Sequence, residues 1–139
     1  AKQQNLTLVT WQEAMETSDI LSNHMALKPE NVGFFNLDKF QRCKKRPLFI
    51  NTGRGKSVVE DDLAQALDLG YLRGAGLDVL ASEHVDFDHL KLLGRDNVII
   101  TPHAGFYSVQ AARDLQDIAC NTVIGALTGN YERISKIVN

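Results

Sequence analysis

The fold is decided by the stretch Phe49-Ile50-Asn51-Thr52-Gly53-Arg54-Gly55, a short apolar run that ends in a turn of glycines around an arginine. Two other short runs also lead to charged residues. One passes through Gly76-Leu77-Asp78 to Glu83, and Val98-Ile99-Ile100 leads to His103. Charged side chains just beyond buried strands are typical of an open α/β sheet, which builds its site at the carboxyl ends of its strands. The sequence therefore predicts that these three charged side chains meet at one sheet edge.

Strand and helix patterns alternate along the chain, and this order predicts a parallel sheet covered by helices on both faces. The predicted strands are residues 6–9, 19–25, 48–51, 76–80 and 98–101. The predicted helices follow the caps Thr10, Asn36 and Ser57, and a long helix spans residues 108–128. Thr10 with Glu13, and Ser57 with Glu60, have the spacing of a capping box.

Composition argues against several classes of protein. The chain has 139 residues, of which 44% are hydrophobic and 23% charged, and this suits a single globular domain. A net charge of −2 gives no electrostatic footprint for nucleic acid, and no apolar stretch approaches the ~18 residues of a membrane span. We therefore expect a cytoplasmic protein with no nucleic-acid partner and no membrane partner.

The two cysteines predict no special chemistry. Cys43 and Cys120 lie far apart in the sequence and lack a Cys-x-x-Cys spacing, so we expect neither a metal site nor a disulfide framework. Reduced packing residues are the favoured interpretation. The basic run at residues 42–46 is most simply a solvated helix end, with a nucleic-acid patch as the weaker alternative.

Arg54, Glu83 and His103 together form a complete acid/base set. A guanidinium can bind a carboxylate in two places, an imidazole can move a proton, and a carboxylate can tune that imidazole. This set suits the reduction of a 2-oxo acid. Taken singly, each has a structural alternative: His103 as the end of a strand, Arg54 as a surface ion pair, and Glu83 as a loop carboxylate in water.

Four blocks of sequence resemble the D-isomer-specific 2-hydroxyacid dehydrogenases, and the similarity extends over about residues 6–127. The blocks, in the order and spacing of that family, are Ser18-Asp19-Ile20-Leu21-Ser22-Asn23-His24, Ile50-Asn51-Thr52-Gly53-Arg54-Gly55, Gly74-Ala75-Gly76-Leu77-Asp78-Val79 through Glu83, and Thr101-Pro102-His103. The resemblance implies a Rossmann-like doubly wound sheet. It also implies reversible hydride transfer between a nicotinamide cofactor and a small 2-hydroxy or 2-oxo acid.

The resemblance also implies roles for individual residues. His103 would be the general acid/base, Glu83 would support it, Arg54 would hold the substrate, and Asp78 would help to orient the nicotinamide. The implied cofactor contacts are Met25, Ala26, Leu27, Asn31, Thr52, Gly53, Arg54, Asp78, His103, Ala104, Gly105 and Phe106. The expected cofactor is NAD, with NADP as an alternative, because the residue that would read the ribose falls upstream of these blocks.

The chain departs from the family pattern at its front end and at two single positions. No Gly-x-Gly-x-x-Gly turn follows a strand, so the first strand, the glycine-rich turn and the second strand would lie before Ala1. We therefore expect residues 1–139 to be the C-terminal part of a dinucleotide-binding domain, which ends in a long helix that returns toward a substrate domain. The isolated chain is expected to be inactive. Gly53 stands where the family usually has alanine or serine, and His84 stands where proline is frequent.

Two further readings stay open on the sequence. A noncatalytic dinucleotide-sensing corepressor on the same fold would keep Arg54, Glu83 and His103, and an inactive truncated module is the other alternative. The resemblance implies a homodimer in the intact protein. The sequence does not distinguish lactate, glycerate, hydroxypyruvate and phosphoglycerate as substrates.

Overall fold

The structure is a computed structural model that describes residues 6–82, 84, 86–130 and 132. The chain divides into two compact units, Ala1–His103 and Ala104–Asn139. Within the described residues, no helix is both long enough and apolar enough to cross a membrane.

The described residues of the first unit form a parallel sheet and three α-helices. Its elements in chain order are α1 (Trp11–Thr17), β1 (Ile20–Asn23), α2 (Leu37–Phe40), β2 (Leu48–Asn51), α3 (Glu60–Asp68), β3 (Gly74–Leu77) and β4 (Val98–Ile100). Short 3₁₀ turns lie at Pro29–Asn31 and Gly55–Ser57. The predicted α/β class is therefore confirmed.

The second unit contains the predicted long helix, α4 (Val109–Thr128). Its first turn is capped by Ser108, whose hydroxyl accepts a hydrogen bond from the backbone N–H of Ala111 at 3.0 Å. Gly129 ends the helix in the left-handed conformation, with a φ of 68°, which a residue without Cβ adopts at little cost. Both the serine at the start of the helix and the glycine that ends it were predicted from the sequence.

The four strands pair in parallel in the order β1-β2-β3-β4. Asn23 pairs with Asn51, Asn51 with Leu77, and Leu77 with Ile100, so the last residues of all four strands form one row. The segments that follow the strands consequently leave from the same edge of the sheet. This edge is where the sequence predicts the site.

One face of the sheet packs against α1, α2 and α3. The strand residues Leu21, Phe49, Ala75 and Leu77 belong to the same buried cluster as residues of these three helices. The ring of Phe49 lies 4.9 Å from that of Phe35 and 5.3 Å from that of Phe40, measured between centroids. Side chains on the opposite face are exposed, Ile20 by 55% and Ile99 by 70%. The expected cover on both faces is thus not provided by α1–α3.

The predicted strand at residues 6–9 is wrong. Residues 6–10 have no regular structure, and the side chains of Leu6 and Leu8 are exposed. An alternating apolar run forms a strand only where a neighbouring strand supplies hydrogen bonds, and β1 pairs on one side only, with β2. The strand predicted at residues 76–80 begins two residues earlier, because Gly74 pairs with Leu48.

The predicted capping box at Ser57 is also wrong. Helix α3 begins at Glu60 after Val59, without a side-chain cap. The Ser57 hydroxyl instead donates to the carbonyl of Arg54, and the Glu60 carboxylate accepts from the backbone N–H of Ala81. Tertiary partners therefore replace the local pairing. The cap at Thr10 does form its first half, since the Thr10 hydroxyl accepts from the N–H of Glu13.

The two cysteines should differ in thiol reactivity. Burial raises the pKa of the Cys43 thiol to about 11, and its Sγ lies 3.8 Å from Sδ of Met15, whereas Cys120 is exposed. Because the thiolate is the reactive form, we expect a disulfide reagent at about pH 8 to modify Cys120 in the native protein and Cys43 only after unfolding. Peptide mapping by mass spectrometry measures this, with Cys120→Ser as the control. Rapid native labelling of Cys43 would contradict the packing.

Candidate active site

An open cavity of about 1190 Å³ lies at the carboxyl edge of the sheet in the first unit. Its polar lining is supplied by Arg54, Lys56, Asp78, Thr101 and His103. Its apolar lining includes Leu27, Leu80, Phe87, Leu93 and Ile100. The structure therefore brings together two of the three predicted catalytic residues, Arg54 and His103, and adds Asp78 beside them.

Arg54 lies three residues beyond the end of β2, and its side chain is exposed. One guanidinium nitrogen, Nη1, donates to the carbonyl oxygen of Gly53 at 2.8 Å. Within the described residues, no carboxylate lies within ion-pair distance of Arg54. The remaining guanidinium donors are thus available to a carboxylate ligand, which they could bind in two places.

His103 lies three residues beyond the end of β4 and has a φ of 54°. Its backbone N–H donates to the carbonyl oxygen of Thr101 at 2.9 Å, which fixes a tight turn across Pro102. A side chain in this left-handed region costs on the order of 1–3 kcal/mol and is frequent at functional sites. The turn directs the chain so that His103 joins the lining of the cavity.

Asp78 follows directly after the last residue of β3 and is buried. The Thr101 hydroxyl donates to Oδ1 of Asp78 at 2.5 Å, and this bond joins the ends of β3 and β4. The carboxylate is therefore held in the lining of the cavity. A structural role as a turn residue and the functional role implied by the resemblance are both compatible with this geometry.

The turn that carries Arg54 is pressed against the chain that follows β3. A Cβ added to Gly55 would lie 1.9 Å from the carbonyl oxygen of Leu80, so no side chain fits there. One residue further, the Ala81 N–H donates to Oε1 of Glu60 at 2.6 Å. These contacts fix the start of the loop that leads to Glu83. Glu83 itself lies outside the described residues, so its catalytic role stays a prediction.

The predicted cofactor segment after β1 is ordered by its own side chains. Leu27 lines the cavity, whereas Met25, Ala26 and Asn31 do not. The Asn31 amide donates to the carbonyl oxygen of Ala26 at 2.7 Å, and its Oδ1 accepts from the Lys28 N–H at 2.8 Å. Asn31 thus has a clear structural role in closing this loop, and its cofactor contact stays a prediction.

Thr52 and Gly53 lie between β2 and Arg54 and contact the segment after β1. Oγ1 of Thr52 lies 3.3 Å from Nδ1 of His24, and Oγ of Ser22 lies 2.8 Å from Nε2 of the same ring. A Cβ on Gly53 would lie 3.1 Å from the carbonyl oxygen of Asn23. This close approach is a physical reason for glycine where the family usually has a larger residue. Ala104, Gly105 and Phe106 begin the second unit, and their cofactor contacts stay predictions.

Sequence reasoning missed several residues of the site region. Phe87 and Leu93 line the cavity from a stretch without a recognisable motif. Asn23 and Ser57 are buried and hydrogen-bonded behind the Arg54 turn. A signal for these two existed, because polar residues beside strand ends are frequently paired inside a protein. No group of three or more metal-binding side chains occurs in the part of the chain that is described.

Comparison with known proteins identifies the family. Residues 1–105 match the model of the D-isomer specific 2-hydroxyacid dehydrogenase, NAD binding domain. The chain belongs to this family. The resemblance carried by the four sequence blocks is therefore confirmed, and NAD is the cofactor for which the family's domain is described.

Individual relatives agree with this assignment. This chain is 36% identical over 133 residues to a probable 2-ketogluconate reductase of Dictyostelium discoideum, covering 96% of this chain and 38% of the relative. It is 38% identical over 125 residues to a D-lactate dehydrogenase of Streptococcus agalactiae, covering 81% and 38% respectively. A crystal structure of D-lactate dehydrogenase with NAD+ from Lactobacillus jensenii superposes with a TM-score of 0.86 at 26% identity, covering 94% of this chain and 42% of that one. The chain thus spans about two fifths of the length of these relatives.

Gly55 should tolerate no side chain. We expect Gly55→Ala to destabilise the domain at or above the upper end of the ~1–3 kcal/mol that overpacking costs, because the added Cβ meets backbone rather than a movable side chain. Gly76→Ala is the matched control, since a Cβ there meets nothing within 4 Å. Urea unfolding followed by circular dichroism measures both variants. Equal unfolding midpoints for the two would contradict the close approach to Leu80.

Proposed function

We propose that the protein containing this chain is a D-2-hydroxyacid dehydrogenase. In this proposal it transfers a hydride reversibly between a nicotinamide cofactor and C2 of a small 2-hydroxy or 2-oxo acid. One observation carries the proposal: Arg54 and His103 line the same cavity at the carboxyl edge of a parallel sheet, with Asp78 between the strands that lead there. Membership of the family supports it.

The cavity suits the nicotinamide end of the cofactor. Leu27, Leu80 and Ile100 offer apolar walls to a flat ring, and the Asp78 carboxylate lies beside them in the lining. When bound, the cofactor supplies or accepts the hydride, which is the difficult part of the chemistry. The residues of this chain would bind and orient the substrate against it.

Arg54 would bind the carboxylate of the substrate and polarise its 2-oxo group. The planar guanidinium presents parallel donors that match a carboxylate, and a lysine ammonium does not. The glycines on either side allow the turn to approach the backbone of Asn23 and Leu80 closely, which fixes the segment that presents the guanidinium. Binding through two hydrogen bonds would hold C2 in one orientation for hydride transfer.

His103 would move the proton that accompanies the hydride. During oxidation of a 2-hydroxy acid, the neutral imidazole accepts the hydroxyl proton as the hydride leaves C2. During reduction, the imidazolium returns that proton to the carbonyl oxygen. Glu83, assigned by resemblance, would accept a hydrogen bond from the other ring nitrogen and so fix the tautomer of the imidazole.

The proposal extends to the setting of the domain. Residues 1–139 would form the C-terminal part of a dinucleotide-binding domain, consistent with the share of the relatives that the chain spans. We further propose a homodimer, which the resemblance implies, and a cytoplasmic location, which two free cysteines suit. NAD is the proposed cofactor of the full protein.

His103→Gln tests the proton transfer. We expect kcat for the reduction of pyruvate or hydroxypyruvate by NADH to fall by about 10²–10⁴-fold, because glutamine cannot donate a proton at neutral pH. His89→Gln is the control, since His89 is exposed, pairs with Asp86 at 2.8 Å and lies outside the cavity lining. Full-length protein and NADH absorbance are used. Wild-type turnover by His103→Gln would remove the catalytic assignment.

Arg54→Lys tests carboxylate binding separately. We expect KM for the 2-oxo acid to rise by about tenfold or more, while KM for NADH changes little, because lysine lacks the planar pair of donors. Arg73→Lys is the control, as Arg73 lies outside the cavity lining and its guanidinium donates to the carbonyl oxygen of Asp19 at 3.4 Å. An unchanged KM would refute the role of Arg54. A wild-type protein that binds NADH and a protein partner without turnover would favour the corepressor alternative.

A further inference from the structure

We propose that three buried polar residues, Asn23, Asn51 and Ser57, are positioning residues that hold the Arg54 turn in its binding orientation. They are named the Asn–Ser cluster. None of them lines the cavity, and all three are almost completely inaccessible to solvent. The inference rests on the proposed function, because it assigns the cluster a role in presenting Arg54 to the substrate carboxylate.

The side chains of the cluster are hydrogen-bonded to one another. Nδ2 of Asn23 donates to Oδ1 of Asn51 at 2.9 Å and to the hydroxyl oxygen of Ser57 at 2.8 Å. Asn23 and Asn51 are paired residues at the ends of β1 and β2, so their amides meet across the strand ladder. The orientation of each amide is thereby determined by its partners.

Two atoms of the Arg54 turn are bound directly by the cluster. The carbonyl oxygen of Arg54 accepts from the Ser57 hydroxyl at 2.6 Å and from Nδ2 of Asn51 at 3.2 Å. The backbone N–H of Gly53 donates to Oδ1 of Asn51 at 3.1 Å. The cluster therefore anchors the Thr52–Gly53 and Arg54–Gly55 peptide groups, whereas the guanidinium of Arg54 extends to the exposed side.

The same cluster reaches the predicted cofactor segment. Oδ1 of Asn23 accepts from the backbone N–H of Met25 at 3.1 Å. The amide of Asn23 consequently serves the segment after β1 with its oxygen and the Arg54 turn with its nitrogen. The Asn23 side chain thus connects the segment proposed to contact the cofactor with the turn proposed to bind the carboxylate of the substrate.

Energetics favour positioning over general stabilisation as the role of these residues. A buried polar group costs free energy unless it is fully hydrogen-bonded, so three buried polar side chains contribute little net stability beyond satisfying one another and the backbone of the turn. A fully satisfied network, however, holds its members in one arrangement. Orientation of the Arg54 backbone is what the three side chains add beyond apolar packing.

Ser57→Ala tests the cluster with little risk to folding. The Arg54 carbonyl keeps its bond from Asn51, and the Asn23 amide keeps its bonds to Asn51 and Met25. In the full-length protein we expect KM for pyruvate or hydroxypyruvate to rise by about tenfold, with KM for NADH within about twofold of wild type. We also expect faster hydrogen exchange at the backbone amides of residues 53–55.

Leu72→Val is the matched control, because Leu72 is buried in the apolar core and is not a member of the cluster. It should lower the melting temperature without changing exchange at residues 53–55 or the KM for the acid. Unchanged exchange or unchanged KM in Ser57→Ala overturns the proposal, and so do equal effects in Leu72→Val. An inactive wild-type protein would instead refute the proposed function. The hydrogen-exchange measurement by itself would then show whether the cluster orders the Arg54 turn.

Asn23→Leu provides a second, stronger variant. It removes the bonds to both segments, so we expect KM to rise for NADH as well as for the 2-oxo acid. Asn23→Gln keeps an amide at this position, but the longer side chain displaces the amide nitrogen. We therefore expect neither the KM for NADH nor the KM for the 2-oxo acid to return fully to its wild-type value. A rise confined to the acid would overturn the proposed link to Met25.

Discussion

Parallel pairing in a single register is the constraint on which the rest of the domain depends. Because Asn23, Asn51, Leu77 and Ile100 form one row, every segment that follows a strand begins at the same height. Only a few residues then separate each strand end from the cavity. Arg54 and His103 come from strands that are not neighbours, yet each needs only three residues to reach the same space. A shift of one strand by one residue would also turn its core side chains to the opposite face.

Two layers of side chains lie behind this edge, and different interactions stabilise them. Below the row, aromatic and aliphatic side chains of β2, α2 and α3 form an apolar core in which shape and area dominate. At the row itself, the backbone turns away from the strand ladder and its N–H and C=O groups need new partners. The side chains of Asn51 and Ser57 supply them, and the carboxylate of Glu60 does the same for Ala81. The polar layer therefore begins where the repeating pattern of the sheet ends.

Local signals in the sequence were reliable where local contacts decide the structure. The cap at Asn36 and helix α4 with its glycine stop depend on residues within a few positions of one another. The strand expected at residues 6–9 and the cap expected at Ser57 failed because distant partners decide them. The site shows the same division. The positions of Arg54 and His103 could be predicted from the strands that directly precede them, whereas the contact between Asn23 and Ser57 joins residues 34 positions apart. Spacing along the chain contains no information on that contact.

The left-handed backbone at His103 has a consequence for engineering. Glycine would adopt the same φ without a steric penalty, so a selection for thermal stability alone would favour it at this position. Such a selection would discard the imidazole. A library designed to make the domain more robust should therefore hold residue 103 constant, since the sequence that folds best there is one that has lost the proposed proton carrier.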